Sequence, residues 1–93
     1  MRFARPPDGF KLKISDSLAA YVAEWVGVDE RRRWVWDAIL ARVTMVGARE
    51  GIDLGANRFM MVFKDLPAEG CIIRISYTIN GDTLQFVTIF LSE

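Results

Sequence analysis

No histidine occurs anywhere in the 93 residues. The chain therefore lacks the commonest general base and the imidazole ligand, which excludes a Ser-His-Asp or Cys-His device and leaves a zinc site without its usual donors. Cys71 is the single cysteine, so no internal disulfide can form, and the usage fits a reducing cytoplasm. No run approaches the roughly 20 apolar residues of a membrane span, and the opening MRFARPPDG has no apolar signal core. The expectation is a cytoplasmic protein without membrane association. Net charge is missing as well: 12 Lys and Arg stand against 12 Asp and Glu. Strong nonspecific nucleic-acid binders carry a basic excess, so such a role is disfavoured overall while a local basic patch stays open. Neutrality also leaves little repulsion between copies of the chain.

Phosphate loops of the Walker or dinucleotide type are absent, because Gly47, Gly51 and Gly55 have neither the spacing nor the flanking elements. The carboxylates are scattered. Asp29 and Glu30 suit a helix start, where they complement the dipole, and Asp65 and Glu69 fall in turn material. No metal cluster and no cofactor are expected. Cys71 sits on the apolar side of an alternating run, the position of a small buried hydrophobe rather than a nucleophile.

What the sequence does contain is hydrophobic patterning, with 52% apolar residues in one domain spanning 1–93. Pro6-Pro7-Asp8-Gly9 is a turn signal. Phe10, Leu12 and Ile14 then alternate with Lys11 and Lys13, a short half-buried strand. Ser15-Asp16-Ser17 offers N-caps for a helix whose Leu18, Tyr21, Val22 and Trp25 share one face. Gly27 stops it, and Asp29 caps a second helix from about Glu30 to Glu50. Trp36, Ile39, Leu40, Val43 and Val46 form the main stripe of this helix, widened by Trp34, Val35, Ala38 and Met45. Gly47, Gly51 and Gly55 predict a loose exit. From Asn57 the period becomes two: Phe59, Met61 and Phe63 alternate with Met60, Val62 and Lys64, and after a turn over 65–70 a long strand carries Ile73, Ile75, Tyr77 and Ile79 on one side. The fold class is α+β, in the order β-α-α-β-β-β, a mostly antiparallel sheet with two helices packed on one face.

Asn80-Gly81 is the strongest hairpin signal, since a type I′ turn needs positive φ at both central residues. Centring the turn there places Tyr77 opposite Leu84, Ile75 opposite Phe86, Ser76 opposite Gln85 and Arg74 opposite Val87. The strip Ile73, Ile75, Tyr77, Leu84, Phe86 and Phe90 then packs under the helices, at about 1.5–3 kcal/mol for each large side chain buried.

Two surfaces are candidates for binding. Arg31, Arg32 and Arg33 beside Trp34 could grip phosphates and stack a base, or form a solvated first helical turn. The polar side of the sheet gathers Lys11, Lys13, Lys64, Arg74, Ser76, Thr78 and Gln85, a composition that an uncovered sheet face commonly has. Apolar Ile72, Val87 and Ile89, with Met60 or Val62, lie beside those cations, and such a patch usually meets a partner. One inner layer cannot hold every large residue. Trp34, Trp36, Met60, Ile72 and Ile89 are therefore candidates for an interface, with a homodimer as the first partner and another protein as the second.

Lys64-Asp65-Leu66, Gly70 and the run Arg74-Ile75-Ser76-Tyr77-Thr78-Ile79-Asn80-Gly81-Asp82, in this order of elements, resemble the RelE/ParE superfamily of small bacterial toxins. Lys11-Leu12-Lys13-Ile14-Ser15 is similar to that family's opening strand. The resemblance implies basic residues on the open sheet face that bind messenger RNA on the ribosome and assist its cleavage by the 2′-hydroxyl, and it carries over to Lys64 and Arg74 alone. Two functions are expected from the sequence. The first is a small non-catalytic binding module acting as a homodimer. The alternative is a RelE-like ribosome-dependent RNA-cleaving toxin, or an inactive relative of one.

Overall fold

The computed structural model describes residues 10–92; the Pro6-Pro7-Asp8-Gly9 turn lies outside them. In chain order the elements are β1 (Lys11–Lys13), α1 (Asp16–Val26), α2 (Glu30–Glu50), β2 (Ile52–Gly55), β3 (Arg58–Lys64), β4 (Ile72–Asn80) and β5 (Thr83–Leu91). The sheet runs β1-β5-β4-β3-β2, antiparallel throughout except for the parallel β1–β5 edge. This is the expected α+β arrangement with one more strand. No helix among the described residues is long and apolar enough to cross a membrane.

Both helices begin at the caps the sequence suggests. The Ser15 hydroxyl accepts the Leu18 N–H and the Asp29 carboxylate accepts the Arg31 N–H, each satisfying one orphan donor of a first turn. Val22 and Trp25 from α1, with Trp36, Ile39, Val43 and Val46 from α2, meet Phe59, Met61, Ile73, Ile75, Tyr77, Ile79, Leu84 and Phe86 of the sheet in one continuous core. Trp25 also donates its Nε1–H to the Ser92 carbonyl at 3.2 Å. The Tyr21 hydroxyl accepts the Leu91 N–H at 3.1 Å, so α1 is tied to the end of β5.

The exit of α2 is tight rather than loose. Its helix continues through Gly47, whose carbonyl accepts the Tyr77 hydroxyl at 2.7 Å. A Cβ at Gly47 or Gly51 would press against the Tyr77 ring or hydroxyl. These glycines let α2 approach the sheet closely, and Ile52–Gly55 then pairs with β3 as an edge strand. Cys71 lies just before β4 at intermediate burial, outside the alternation.

The last hairpin departs from the expected register. Asn80 pairs with Thr83, so the two turn residues are Gly81 and Asp82, with positive φ at Gly81 alone. That is the φ signature of a type II′ turn, which takes glycine at its first central position. Tyr77 therefore faces Phe86 and Ile79 faces Leu84. A shift of two residues leaves each side chain on its original face. A bulge then intervenes: Tyr77 pairs with Phe86 and Ser76 with Thr88, leaving Val87 unpaired. Beyond it the alternation of β5 reverses. Ile89 (7% exposed) and Leu91 turn into the core, and Phe90 (45% exposed) turns out.

Candidate functional site

The helices cover one side of the sheet, and the opposite side is open. Register decides what stands on it. Lys13 pairs with Gln85, Gln85 with Thr78, and Thr78 with Arg58, so these four form one row across the sheet. Lys13 and Arg58 end that row, about 14 Å apart at three strand spacings of about 4.8 Å. Lys11, Thr83 and Asn80 form the neighbouring row toward the turn. In the other direction come Thr88, Ser76, Met60 and Ile52, then Phe90, Arg74 and Val62, then Ile72 and Lys64. Sequence reasoning did not pick out Arg58, although extending the even-numbered positions Met60, Val62 and Lys64 by one step reaches it.

No Asp or Glu occupies any of these outward positions. Lys11 meets Asp82 of the turn at 3.3 Å, and its ammonium, hydrogen-bonded to that carboxyl, lowers the Asp82 pKa from its ordinary value. Lys13, Arg58, Lys64 and Arg74 have no ion pair among the described residues. The Arg74 guanidinium lies over the Phe90 ring, 4.8 Å from its centroid. A cation so placed is attracted by the face of the ring while its N–H groups stay available. Ser76 and Thr88 share a hydrogen bond of 2.6 Å beside it. Val62, Ile72, Val87 and Phe90 are each more than a third exposed and form the apolar part of this face.

The arginine run does not assemble into one grip. Consecutive helical residues diverge by about 100°, and each arginine has a different task. Arg31 is held by Asp29 at 2.7 Å; that side-chain hydrogen bond draws the Asp29 carboxyl down to about 2. Arg32 folds over the Trp25 ring at 4.8 Å and donates to the Trp25 carbonyl at 3.1 Å. Arg33, beside the exposed Trp34, has no ion pair among the described residues.

The expected interface set divides in the same way. Trp36 is a core residue, 8% exposed, with its ring 6.4 Å from that of Phe86, because it falls on the sheet-facing stripe of α2 with Ile39 and Val43. Ile89 is also core, since the bulge at Val87 reverses its side. Neither presents a surface. Met60 and Ile72 stand on the open sheet face and Trp34 on the outer side of α2, so the remaining three do not form one patch. Among the described residues no group of His, Cys, Asp or Glu is arranged to hold a metal ion.

Compared with known proteins, the chain matches no protein-family model, no curated protein and no solved structure.

Proposed function

We propose that this protein is a non-catalytic binding module and that the open face of its sheet holds a segment of single-stranded RNA. The observation that carries this reading is the separation of charge. A chain of zero net charge has Lys13, Arg58, Lys64 and Arg74 on one face with no ion pair among the described residues, and Lys11, paired with Asp82, at the edge beside the turn. A field of one sign attracts a polyanion, and cations that lack an internal partner lose little when they take a phosphate. Thr78, Thr83 and Gln85 supply neutral donors and acceptors for sugar and base edges, and Phe90 with Arg74 supplies a flat surface for stacking. Along β3 the footprint from Arg58 to Lys64 is about 20 Å, room for a few nucleotides. No histidine or carboxylate occupies the outward strand positions as a proton acceptor, which favours binding over catalysis.

Fluorescence anisotropy with a labelled oligouridine RNA tests the reading. Binding should weaken as salt rises, with a log–log slope of about −3 for four or five phosphate contacts at about −0.7 each. The double variant Lys13→Glu/Arg58→Glu should lower affinity by at least about tenfold. Absence of binding at low salt defeats the proposal. Tighter binding of polyglutamate than of RNA reassigns the face to an acidic protein partner.

One observation favours a second reading. Lys64 pairs with Ile72 and Val62 with Arg74, which sets the backbone positions of Lys64 and Arg74 on adjacent strands, one diagonal step of about 7–8 Å apart. Two cations so close could hold a phosphate and stabilise charge developing on it, as RelE-like cleavage of messenger RNA requires. Growth arrest on induced expression, relieved by Arg74→Ala, would support that activity. Healthy growth at high expression would count against it.

A further inference from the structure

We infer that the outward side of α2 is the contact by which two copies of this chain associate. This goes beyond the RNA-binding reading and does not depend on it, since the two surfaces lie on opposite sides of the molecule. Trp34, Ala38, Ala41 and Met45 follow one another at intervals of four, three and four residues, which places them on one helical face. That face points away from the core, whose α2 contacts are Trp36, Ile39, Val43 and Val46. Trp34 is 73% exposed, and Met45 is about half exposed. A tryptophan left in water on a rigid helix, next to small residues that permit close approach, is the composition of a packed helix contact.

Charge selects a second copy as the occupant. Arg33 and Asp37 flank Trp34 and Ala38, and neither has an ion pair among the described residues. A two-fold axis crossing antiparallel copies of α2 between residues 35 and 36 brings Trp34 within one residue's rise, about 1.5 Å, of Ala38 of the second copy. The same axis sets Arg33 beside Asp37 of the second copy. Each contact is made twice, large residue on small and cation on anion, as a self-complementary interface requires. The open sheet face cannot pair with itself in this way, because its cations would meet cations.

Sedimentation equilibrium and light scattering on the whole chain test the inference. The expected result is a dimer forming in the micromolar range, with Trp34 emission shifting to shorter wavelength as it forms. Trp25 and Trp36 are already buried, so the shift reports Trp34. Ala38→Glu should abolish the dimer. Arg33→Asp and Asp37→Arg should each weaken it by at least about tenfold, because each turns two attractions into two repulsions. The double variant Arg33→Asp/Asp37→Arg should return affinity to near that of the original chain. A monomer persisting to about 200 μM, a range where only millimolar affinities stay silent, overturns the inference. So does a dimer indifferent to Ala38→Glu, or a double variant no tighter than the single ones. All three substituted positions face solvent, so the fold tolerates the changes.

Discussion

The two outward surfaces, the open side of the sheet and the outer side of α2, both combine apolar and charged residues and arrange them differently. On the sheet, Lys13, Arg58, Lys64 and Arg74 share a face with no carboxylate at its strand positions, Lys11 at the edge pairs with Asp82 of the turn, and the apolar residues lie between and beside them. On the helix, Arg33 alternates with Glu30 and Asp37 around Trp34. A face of one sign suits a partner of the other sign, and a face of both signs suits itself. The chain-wide zero conceals this, because a sum over residues carries no information about where they stand.

Several substitutions break or sharpen the contrast. The largest effect belongs to the residue that joins the two layers. Tyr77 is fully buried between Phe59, on which its ring stacks at 5.9 Å, and the Gly47 carbonyl of α2. Tyr77→Ala should cost about 3–5 kcal/mol, measured by urea denaturation. Both surfaces should lose their behaviour together. Gly51→Ala comes next. Its backbone is one that alanine adopts freely, and such a change ordinarily stabilises slightly. Here the added methyl meets Tyr77 and the Gly47 carbonyl, and a loss of about 1–3 kcal/mol is expected, as for other overpacked sites.

Lys13→Glu/Arg58→Glu should separate the surfaces. RNA affinity should fall by at least about tenfold while stability stays within about 0.5 kcal/mol, the usual range for exposed positions. A fall in stability with no change in binding would erase the distinction drawn for the sheet face.

The smallest effect is at the start of α2. The Arg31 side chain, hydrogen-bonded to Asp29, holds that carboxyl at about 2 against an ordinary 3.8. A lowered folded value stabilises the protein above pH 3.8 and ceases to do so as pH falls toward 2. Asp29→Ala should remove this dependence and fray the first turn, seen as a flatter acid limb in urea midpoints read at several pH values. An unchanged acid limb would separate the Asp29–Arg31 contact from stability.

Local signals were legible where local chemistry decides the outcome. Ser15 and Asp29 cap the helices because a short acceptor beside a free N–H is a property of a few consecutive residues. The apolar stripes of α1, α2, β3 and β4 could be read for the same reason. Arg58 was within reach of the same alternation. Other features were not legible in this way. A glycine spacing of four near a helix end suggests slackness until Tyr77, about thirty residues later, is seen to need the room. Asn80-Gly81 favours one turn and Gly81-Asp82 another, and the second goes with the pairing of Tyr77 opposite Phe86. The bulge at Val87 then moves Ile89 inward and Phe90 outward against their simple parity.

By itself, the sequence determined the class of elements, their order, the two helix starts and which face of β3 and β4 is apolar, because each follows from spacing along the chain. Only the tertiary structure decided the register of the last hairpin, the reversal along β5, the added edge strand and the row that sets Arg58 in line with Lys13. Those depend on which distant residues stand opposite one another, and a single unpaired residue in one strand exchanges the inward and outward sets for everything beyond it.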